Sequence, residues 1–519
     1  MILRIAAVVL AGMSMRLISP PTGWYALHWF NLIPVFWALR PNDNKKNAWL
    51  MFAFGYSLVA TNYSWVKESI IHFSNLPIPL AWACVFGYAL ISAPPFWLLG
   101  YSVHWFRERI GVFWIWLIPA VQVGLEFVWP ALFPYYHGAL FYRSSWSWQW
   151  LSLFGVTGLS YLIFCSNAAI CEFALYKRNQ FGKHKSHLIA LLILFGIHNI
   201  YGAWRFEQVE HQLQDAPIVR AAILQRDVTM QHRMKRSPFK SIQAWYNLSL
   251  EVAEEKPDLV VWPEGAMGGP LNPDDERSFR ALGGRSIKDL FSELAYTHDF
   301  SLLVGGGTIT IHDTKDAEGY PEYTAYNSAY LFNREGEITG RYDKMVLLPF
   351  GEYIPLSETF PIIRELLKGP GNFKRGSEVT VFKAQADGFE YTFTAPICYE
   401  AILHSQMNKM SEADLFVNIT NDAWFGDTQA PHQHAMLATV QAAQYGRPLL
   451  RIGYTGVGMI VEPHGVIKGE TKPFTEVAKT EEIRMAKIPT FYRRIGWLFP
   501  WICIAVTVGS ALRLRNRKK

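Results

Sequence analysis

Apolar residues come in long blocks from Ile2 to about Trp204 and again over Ile495–Leu512. Between them, about Ala216–Thr490 mixes apolar positions with charges, glycines and prolines in an ordinary globular texture. Crossing the hydrocarbon core takes about 20 mainly apolar helical residues. The blocks predict spans near Ile5–Ile18, Tyr25–Leu39, Ala48–Trp65, Leu80–Trp105, Val112–Phe133, Leu151–Leu175, Leu188–Trp204 and Gly496–Leu512. The first two are short and separated by SPPTGW, which fits tilted spans or one re-entrant pair. A cleaved signal peptide is disfavoured, because the first block lacks a small-residue cleavage pattern and carries Arg16 late. The expected organisation is a transmembrane bundle over 1–205, a soluble domain over 216–490, a last span over 495–512 and a basic tail over 513–519.

Inside the soluble stretch the pattern alternates between short apolar runs bounded by turn residues and longer amphipathic segments. Pro217–Asp227, Pro257–Gly265, "FSLLVGGGTIT", "AYNSAYLFN", "YTFTAPICYE" and "ADLFVNITND" read as strands. Ser241–Glu255, Ser286–His298, "AILHSQMNKM" and His432–Gly446 read as helices, and "GYTGVGMIVEPHGVIKG" as a closing hairpin. Strands alternating with helices predict an α/β domain, so the fold class is a polytopic α-helical bundle of about eight spans plus an α/β domain.

Charge adds orientation. The 519-residue chain carries a formal charge of only +6, and its basic residues cluster after the second, fourth, sixth and eighth spans: Arg40, Lys45 and Lys46; Arg107 and Arg109; "YKRNQFGKHKSH"; and "RLRNRKK". The positive-inside rule makes that face cytoplasmic, with both termini on it and the soluble domain on the opposite face. No basic stripe suggests nucleic acid. Of five cysteines, Cys84, Cys165, Cys171 and Cys503 lie in spans and Cys398 alone in the soluble domain. That excludes a disulfide staple inside the domain. No CxxC or paired-histidine spacing points to a metal, and "GGGTIT" has neither the Walker lysine nor the GxGxxG order, so no metal, nucleotide or other cofactor is expected.

In open α/β sheets the working residues gather at strand ends. Glu264 and Cys398 occupy such tips, and Lys344 lies where a strand yields to a long loop. A thiolate is the nucleophilic form of cysteine, and a nearby cation favours it. Lys344 can supply that cation and then stabilise an oxyanion; Glu264 can take and return the thiol proton. Acyl transfer through a thioester is the chemistry these parts serve. Each has a plain alternative: a buried core thiol for Cys398, a helix cap or ion-pair partner for Glu264, and a solvated turn for "RYDK".

"VVWPEG", "GRYDKMVLLPFGEYIP" and "APICYE" resemble the three signature blocks of the nitrilase, or carbon–nitrogen hydrolase, superfamily, whose members use a Glu-Lys-Cys triad. Placed between seven N-terminal spans and one C-terminal span, such a domain resembles the membrane-bound apolipoprotein N-acyltransferase family. "FGYSLVATNYSWV", "YNSAYLF", "NITNDAWFG" and "GRPLLR" agree with that likeness. The resemblance implies an α-β-β-α sandwich on the periplasmic side of a bacterial inner membrane. Glu264 would be the base, Lys344 the oxyanion stabiliser and Cys398 the nucleophile, with Glu352, Asn327, Tyr399 and Glu400 in support. It implies a phospholipid acyl donor and, as acceptor, the α-amino group of a lipoprotein's N-terminal diacylglyceryl-cysteine. An amidase or acyltransferase of the same chemistry on another amine, and an inactive membrane scaffold, are the alternatives.

Other positions carry paired readings. Trp424 and Phe425 line an acyl pocket or belong to the core; Leu347–Leu367 is an arm dipping towards lipid or a packed loop. Trp146, Trp148 and Trp150 form an interfacial belt or a substrate rim. Glu126 and His198 are intramembrane ionisable residues; Glu126 pairs with another span or touches a headgroup. Departures from the family pattern stand at Arg226, Gly265, Gln441, Gln444 and Tyr454. The two glutamines are expected to replace a charge pair near the site, leaving acceptor identity less determined than reaction type.

Overall fold

The computed structural model describes residues 1–39, 43–74, 76–176, 185–228, 238–272, 286–315, 319, 321–357, 359–360 and 372–516. Its N-terminal part is helical: α1 (Ile2–Ile18), α2 (Asn44–Asn62), α3 (Ile78–Ser92), α4 (Pro94–Ile110), α5 (Trp114–Val128), α6 (Leu151–Ile170) and α7 (Lys185–Gln214). Among the described residues, four helical segments are long and apolar enough to cross a membrane: Ile78–Val128, Leu151–Ala174, Lys185–Gln214 and Gly496–Asn516. Small residues let the helices approach. A Cβ on Gly12 of α1 would lie 2.1 Å from Ser57 Oγ on α2, and one on Gly100 of α4 would lie 2.6 Å from the Asn47 carbonyl.

Two expected spans are divided. Tyr25–Leu39 is a 3₁₀ turn, Tyr25–Trp29, followed by the short helix Ile33–Ala38, which Pro34 opens from its first turn. Leu80–Trp105 breaks at Ala93, after which Pro94 and Pro95 start α4. Proline lacks the N–H that would continue a helix and is tolerated in its first turn. The tryptophans of "SSWSWQW" separate too. Trp148 and Trp150 are buried while Trp146 is 55 % exposed, and the Trp148 ring packs on Gly465 of the following domain.

That domain consists of β1 (Ile218–Gln225), α8 (Pro238–Ala253), β2 (Leu259–Trp262), α9 (Ile287–His298), β3 (Ser301–Lys315), β4 (Pro321–Phe332), β5 (Ile338–Asp343), β6 (Phe382–Ala386), β7 (Phe389–Thr394), α10 (His404–Met410), β8 (Leu415–Thr420), α11 (Ala430–Tyr445), β9 (Leu449–Gly453), β10 (Met459–Val461), β11 (Ile467–Lys468) and β12 (Val477–Arg484). A final helix, α12 (Phe499–Asn516), follows. The strands form two six-stranded sheets, ordered β12-β1-β2-β3-β4-β5 and β11-β10-β9-β8-β7-β6. β1, β2 and β3 are mutually parallel, as are β7, β8 and β9.

Strand periodicity builds the layers. Val219, Ala221 and Ile223 of β1, with Leu259 and Val261 of β2, join the core shared with Phe393, Leu415 and Ile460 of the second sheet. The alternate residues Ala222, Leu224, Val260 and Trp262 pack instead with Trp245 of α8 and Phe291 of α9. α11 lies against the second sheet and also touches α6 of the bundle. The result is an α-β-β-α sandwich whose second helical layer rests on the membrane helices.

α7 spans about 45 Å at 1.5 Å per residue, and its C-terminal turns enter the domain. Val209 and Leu213 pack on Ile488, while Arg484 bonds Glu210 at 2.8 Å and Glu462 at 2.6 Å. Lys468 and His464 complete this cluster, 2.7 Å from Glu462 and 3.0 Å from Glu210. The acidic atoms there already face cations, so the group reads as a clamp between bundle and domain.

β3 reaches its place beside β2 because Gly305 has no side chain. A Cβ there would meet the Pro263 carbonyl at 2.3 Å and Glu264 Cα at 2.9 Å. Gly305→Ala should therefore cost about 1–3 kcal/mol, the usual range for overpacking. It should lower the thermal unfolding midpoint; an unchanged midpoint would show that the Pro263–Glu264 turn yields freely.

Candidate active site

The turn Trp262–Pro263 ends β2 and presents Glu264. Lys344 directly follows β5, its N–H donating to the Asn327 carbonyl at 2.8 Å so that the ladder with β4 runs one residue further. Cys398 begins a 3₁₀ turn, Cys398–Ile402, shortly after β7. Strand ends thus converge as the alternation of elements predicts.

Lys344 is buried, with Nζ 2.8 Å from Glu352 Oε2 and 3.3 Å from Glu264 Oε1. Asn327 Nδ2 donates to both carboxylates, at 2.7 Å to Glu264 and 2.8 Å to Glu352. The outer Glu264 oxygen is held by the Asn421 N–H at 2.9 Å, and the Glu352 oxygen that meets Lys344 also accepts from the Leu348 N–H at 2.8 Å. Burial works against the ammonium, but Glu264, Glu352 and Cys398 outweigh it and hold the Lys344 pKa well above the ordinary lysine value. Burial, with the charge of Glu264, holds the Cys398 thiol well above the ordinary cysteine value, against the opposing pull of Lys344.

Cys398 adopts φ +50°, a left-handed conformation that costs a non-glycine residue energy unless its surroundings impose it. Glu400 is one such constraint. Its Oε2 accepts from the Ile397 N–H at 2.8 Å, while Oε1 accepts from Tyr342 Oη at 2.8 Å and from the N–H groups of Met345 and Val346 at 2.8 and 3.0 Å. Glu400 therefore ties the cysteine turn to the segment that carries Lys344. A second support was not visible in the sequence: His434 of α11 lies 3.4 Å from the Cys398 carbonyl and 2.8 Å from Asp422, which Arg451 of β9 contacts at 2.7 Å.

Cys398 lies on the wall of two cavities. One, of about 1120 Å³, also exposes Glu264, Lys344, Asn327, Glu352 and Trp424. The other is a slot of about 30 Å³ between domain and bundle, lined by Tyr63, Trp65, Phe133, Tyr135 and Leu437. Phe425 borders both and meets the Trp65 ring edge-on at 5.0 Å. Tyr399 turns from the triad towards the bundle, its Oη donating to the Leu132 carbonyl at 2.7 Å.

Gln441 and Gln444 are in neither cavity. Gln444 accepts from the Val156 N–H of α6 at 2.8 Å and lies 3.0 Å from His404, so the expected charge-pair loss falls at the interface with the bundle. Arg226 and Tyr454 are neighbours: the Arg226 N–H donates to the Tyr454 carbonyl at 3.1 Å, and both side chains pack on Trp245. Gly265 has φ +65°, readily taken by glycine. Glu126 accepts from Gln122 at 3.2 Å and from the His137 N–H at 3.3 Å, and His198 lies 3.3 Å from Ser147; both belong to the bundle interior. Of Leu347–Leu367, residue 358 and residues 361–367 lie outside the described residues; Phe350, Leu356 and Phe360 are each more than half exposed.

Residues 220–491 match the carbon-nitrogen hydrolase family, and residues 11–169 match the apolipoprotein N-acyltransferase N-terminal domain. The apolipoprotein N-acyltransferase of Geobacter metallireducens is 30% identical, over 98% of this chain and 95% of that protein. That of Agrobacterium fabrum is 28% identical, over 89% and 87%. A crystal structure of an amidase from Nesterenkonia sp. superposes with a TM-score of 0.37 at 15% identity, covering 53% of this chain and 92% of that chain.

The ion-pair geometry has a pH signature. Because the folded pKa of Lys344 is raised, its stabilising effect is complete below the ordinary lysine value of about 10.4 and is lost only as pH rises through the higher folded value. Lys344→Met should destabilise by about 3–5 kcal/mol by leaving the buried Glu352 and the partly buried Glu264 without their cation. Thermal midpoints of the two proteins near neutral pH check this; an unchanged midpoint would show that the carboxylates do not depend on the ammonium.

Proposed function

The chain belongs to the apolipoprotein N-acyltransferase family, and from that premise we propose that it moves an acyl chain from a phospholipid, through a thioester on Cys398, to the α-amino group of a lipoprotein's N-terminal diacylglyceryl-cysteine. The observation that carries this reading is the placement of Cys398, which borders a cavity holding a cation and two carboxylates and also an apolar slot against the bundle.

The thiol proton passes to Glu264 as sulfur attacks the lipid ester carbonyl. Lys344 stabilises the oxyanion. Collapse breaks the ester C–O bond, and Glu264 returns the proton to the departing lysophospholipid alkoxide. In the second half the acceptor amine attacks the thioester, Glu264 takes its proton, and cleavage of the C–S bond leaves an amide and the free thiol. Glu352 and Asn327 hold Lys344 and Glu264 in register. The slot takes the beginning of the acyl chain, with Phe425 at its mouth and Trp424 on the polar side.

The membrane setting supplies the donor. The protein is a bacterial membrane protein; we place it in the inner membrane as a multi-pass protein, with the domain periplasmic and both termini cytoplasmic, on the side of the basic loops. The exposed apolar residues Phe350, Leu356 and Phe360 support an arm that reaches towards lipid. Tethering the domain beside the bilayer keeps the local donor concentration high.

Incubation with phospholipid should add one acyl mass to the intact protein, removable by neutral hydroxylamine and absent in Cys398→Ala. Glu264→Gln should slow that addition by about two orders of magnitude. Adding a diacylated lipopeptide should then discharge the adduct to an amide. Release of free fatty acid alone would make the enzyme a hydrolase, and an adduct persisting in Cys398→Ala would remove this cysteine from the mechanism.

A further inference from the structure

A further polar cavity lies where the domain returns to the membrane. Its volume is about 410 Å³, and its walls include Asn408, Ser411, Glu412, Arg493, Arg494 and Trp497. None of these residues borders either cavity at Cys398. Asn408 belongs to α10, which follows the cysteine turn, and Ser411 and Glu412 come directly after that helix. The arginines end the short helix Phe491–Arg494, and Trp497 lies just beyond it. Gly496–Asn516 is long and apolar enough to cross a membrane, so the cavity stands at the level where this segment leaves the bilayer. Phe491, Ile495, Trp497 and Trp501 are each between 44 and 49 % exposed there. Aromatic side chains at the end of a span mark the headgroup layer.

The two arginines run against the charge pattern of the chain. Basic residues flanking spans concentrate on the cytoplasmic side, whereas Arg493 and Arg494 stand at the domain's end of the last span. In the topology proposed above, that is the opposite side. Lys67 and Arg143 share it, and each is answered by a carboxylate, Glu68 at 3.1 Å and Glu470 at 2.6 Å. Arg493 likewise meets Glu412, through Nη2. Arg494 is exposed, and among the described residues it forms no ion pair with a carboxylate. Two guanidinium groups against one carboxylate leave the cavity with a net positive charge. A guanidinium carries five N–H donors and fits the oxygens of a phosphate two at a time. Arg493 gives one nitrogen to Glu412, so donors remain on both arginines.

We propose that this cavity binds the phosphate of an anionic membrane phospholipid, with Arg494 and Arg493 donating to its oxygens. The occupant follows from charge and position together. A positive cavity rimmed by the exposed Phe491, Ile495 and Trp497 meets headgroups on its polar side and acyl chains on its apolar rim. A headgroup held there touches the start of the last span and the segment after the cysteine turn. It thereby seats the domain on the bilayer at a point separate from the active site. This rests on the membrane placement proposed above and not on the acyl-transfer reaction.

The test is the thermal midpoint of the full-length protein in detergent, titrated with phosphatidylglycerol, with phosphatidylcholine of the same chains, or with inorganic phosphate. Phosphatidylglycerol should raise the wild-type midpoint. Arg494→Gln should need about fivefold more of it for the half-maximal rise, the worth of one basic residue at an anionic surface. The active site is the same in both proteins, so lipid bound there cancels in the comparison. Identical phosphatidylglycerol curves overturn the proposal. So does an equal Arg494 dependence with phosphatidylcholine, which would remove the preference for anionic lipid, or with inorganic phosphate, which would make the ligand a free anion. If Arg494→Gln does not unfold cooperatively, native mass spectrometry of the wild type released from nanodiscs of both lipids in equal amounts decides. The retained lipid should be enriched in phosphatidylglycerol; no enrichment overturns the proposal. Neither readout needs an acyl adduct, so failure here and failure to form one are separate results.

Discussion

One buried ammonium organises the site. Lys344 is almost wholly buried, and an isolated charge in that position would be prohibitively costly. It is retained because Glu264 and Glu352 meet it at 3.3 and 2.8 Å and Asn327 bridges the two carboxylates. Those groups come from β4, the turn after β2 and the loop after β5, so the ion cluster also fixes how three segments end. The same arrangement leaves the cation aimed into a cavity that Cys398 borders. Structural need and chemical use coincide in a single side chain.

The nucleophile is held by comparable means. The left-handed Cys398 is imposed by hydrogen bonds from both sides, Glu400 on the side of Lys344 and the His434–Asp422–Arg451 circuit on the side of α11. α11 in turn lies between the second sheet and α6 of the bundle, and Tyr399 reaches the bundle through the Leu132 carbonyl. Connecting segments of the bundle, at Tyr63, Trp65 and Phe133, are therefore part of the wall around the thiol. The apolar slot exists only where the two parts meet.

Much of this was legible in the chain. Glu264 and Cys398 stand out because each ends a short apolar run at a turn, Lys344 because a strand there yields to a long loop, and the two-sheet sandwich follows from the resemblance those blocks carry. The remainder depended on tertiary neighbours. Asp422, His434 and Arg451 look like ordinary residues of a turn, a helix and a strand, and only sheet order brings them behind Cys398. β12 escaped notice because "VAKTEEIR" is polar, as suits an edge strand pairing with β1. Gln441 and Gln444, departures from the family pattern expected near the site, border neither cavity, and Gln444 instead accepts from the Val156 N–H of α6. In the membrane part, hydropathy located apolar blocks but not their breaks; Pro34 and the Pro94–Pro95 pair start new helices inside expected spans.

The central claim is that one sulfur carries the acyl chain between lipid and amine. A single-turnover chase addresses it directly: enzyme loaded with acyl-labelled phospholipid is mixed with diacylated lipopeptide, and the label on Cys398 and on the peptide are followed together. The account predicts that the thioester forms first and decays at the rate at which N-acylated peptide appears. Labelled peptide appearing while Cys398 remains unlabelled, or at a rate faster than thioester decay, would contradict it.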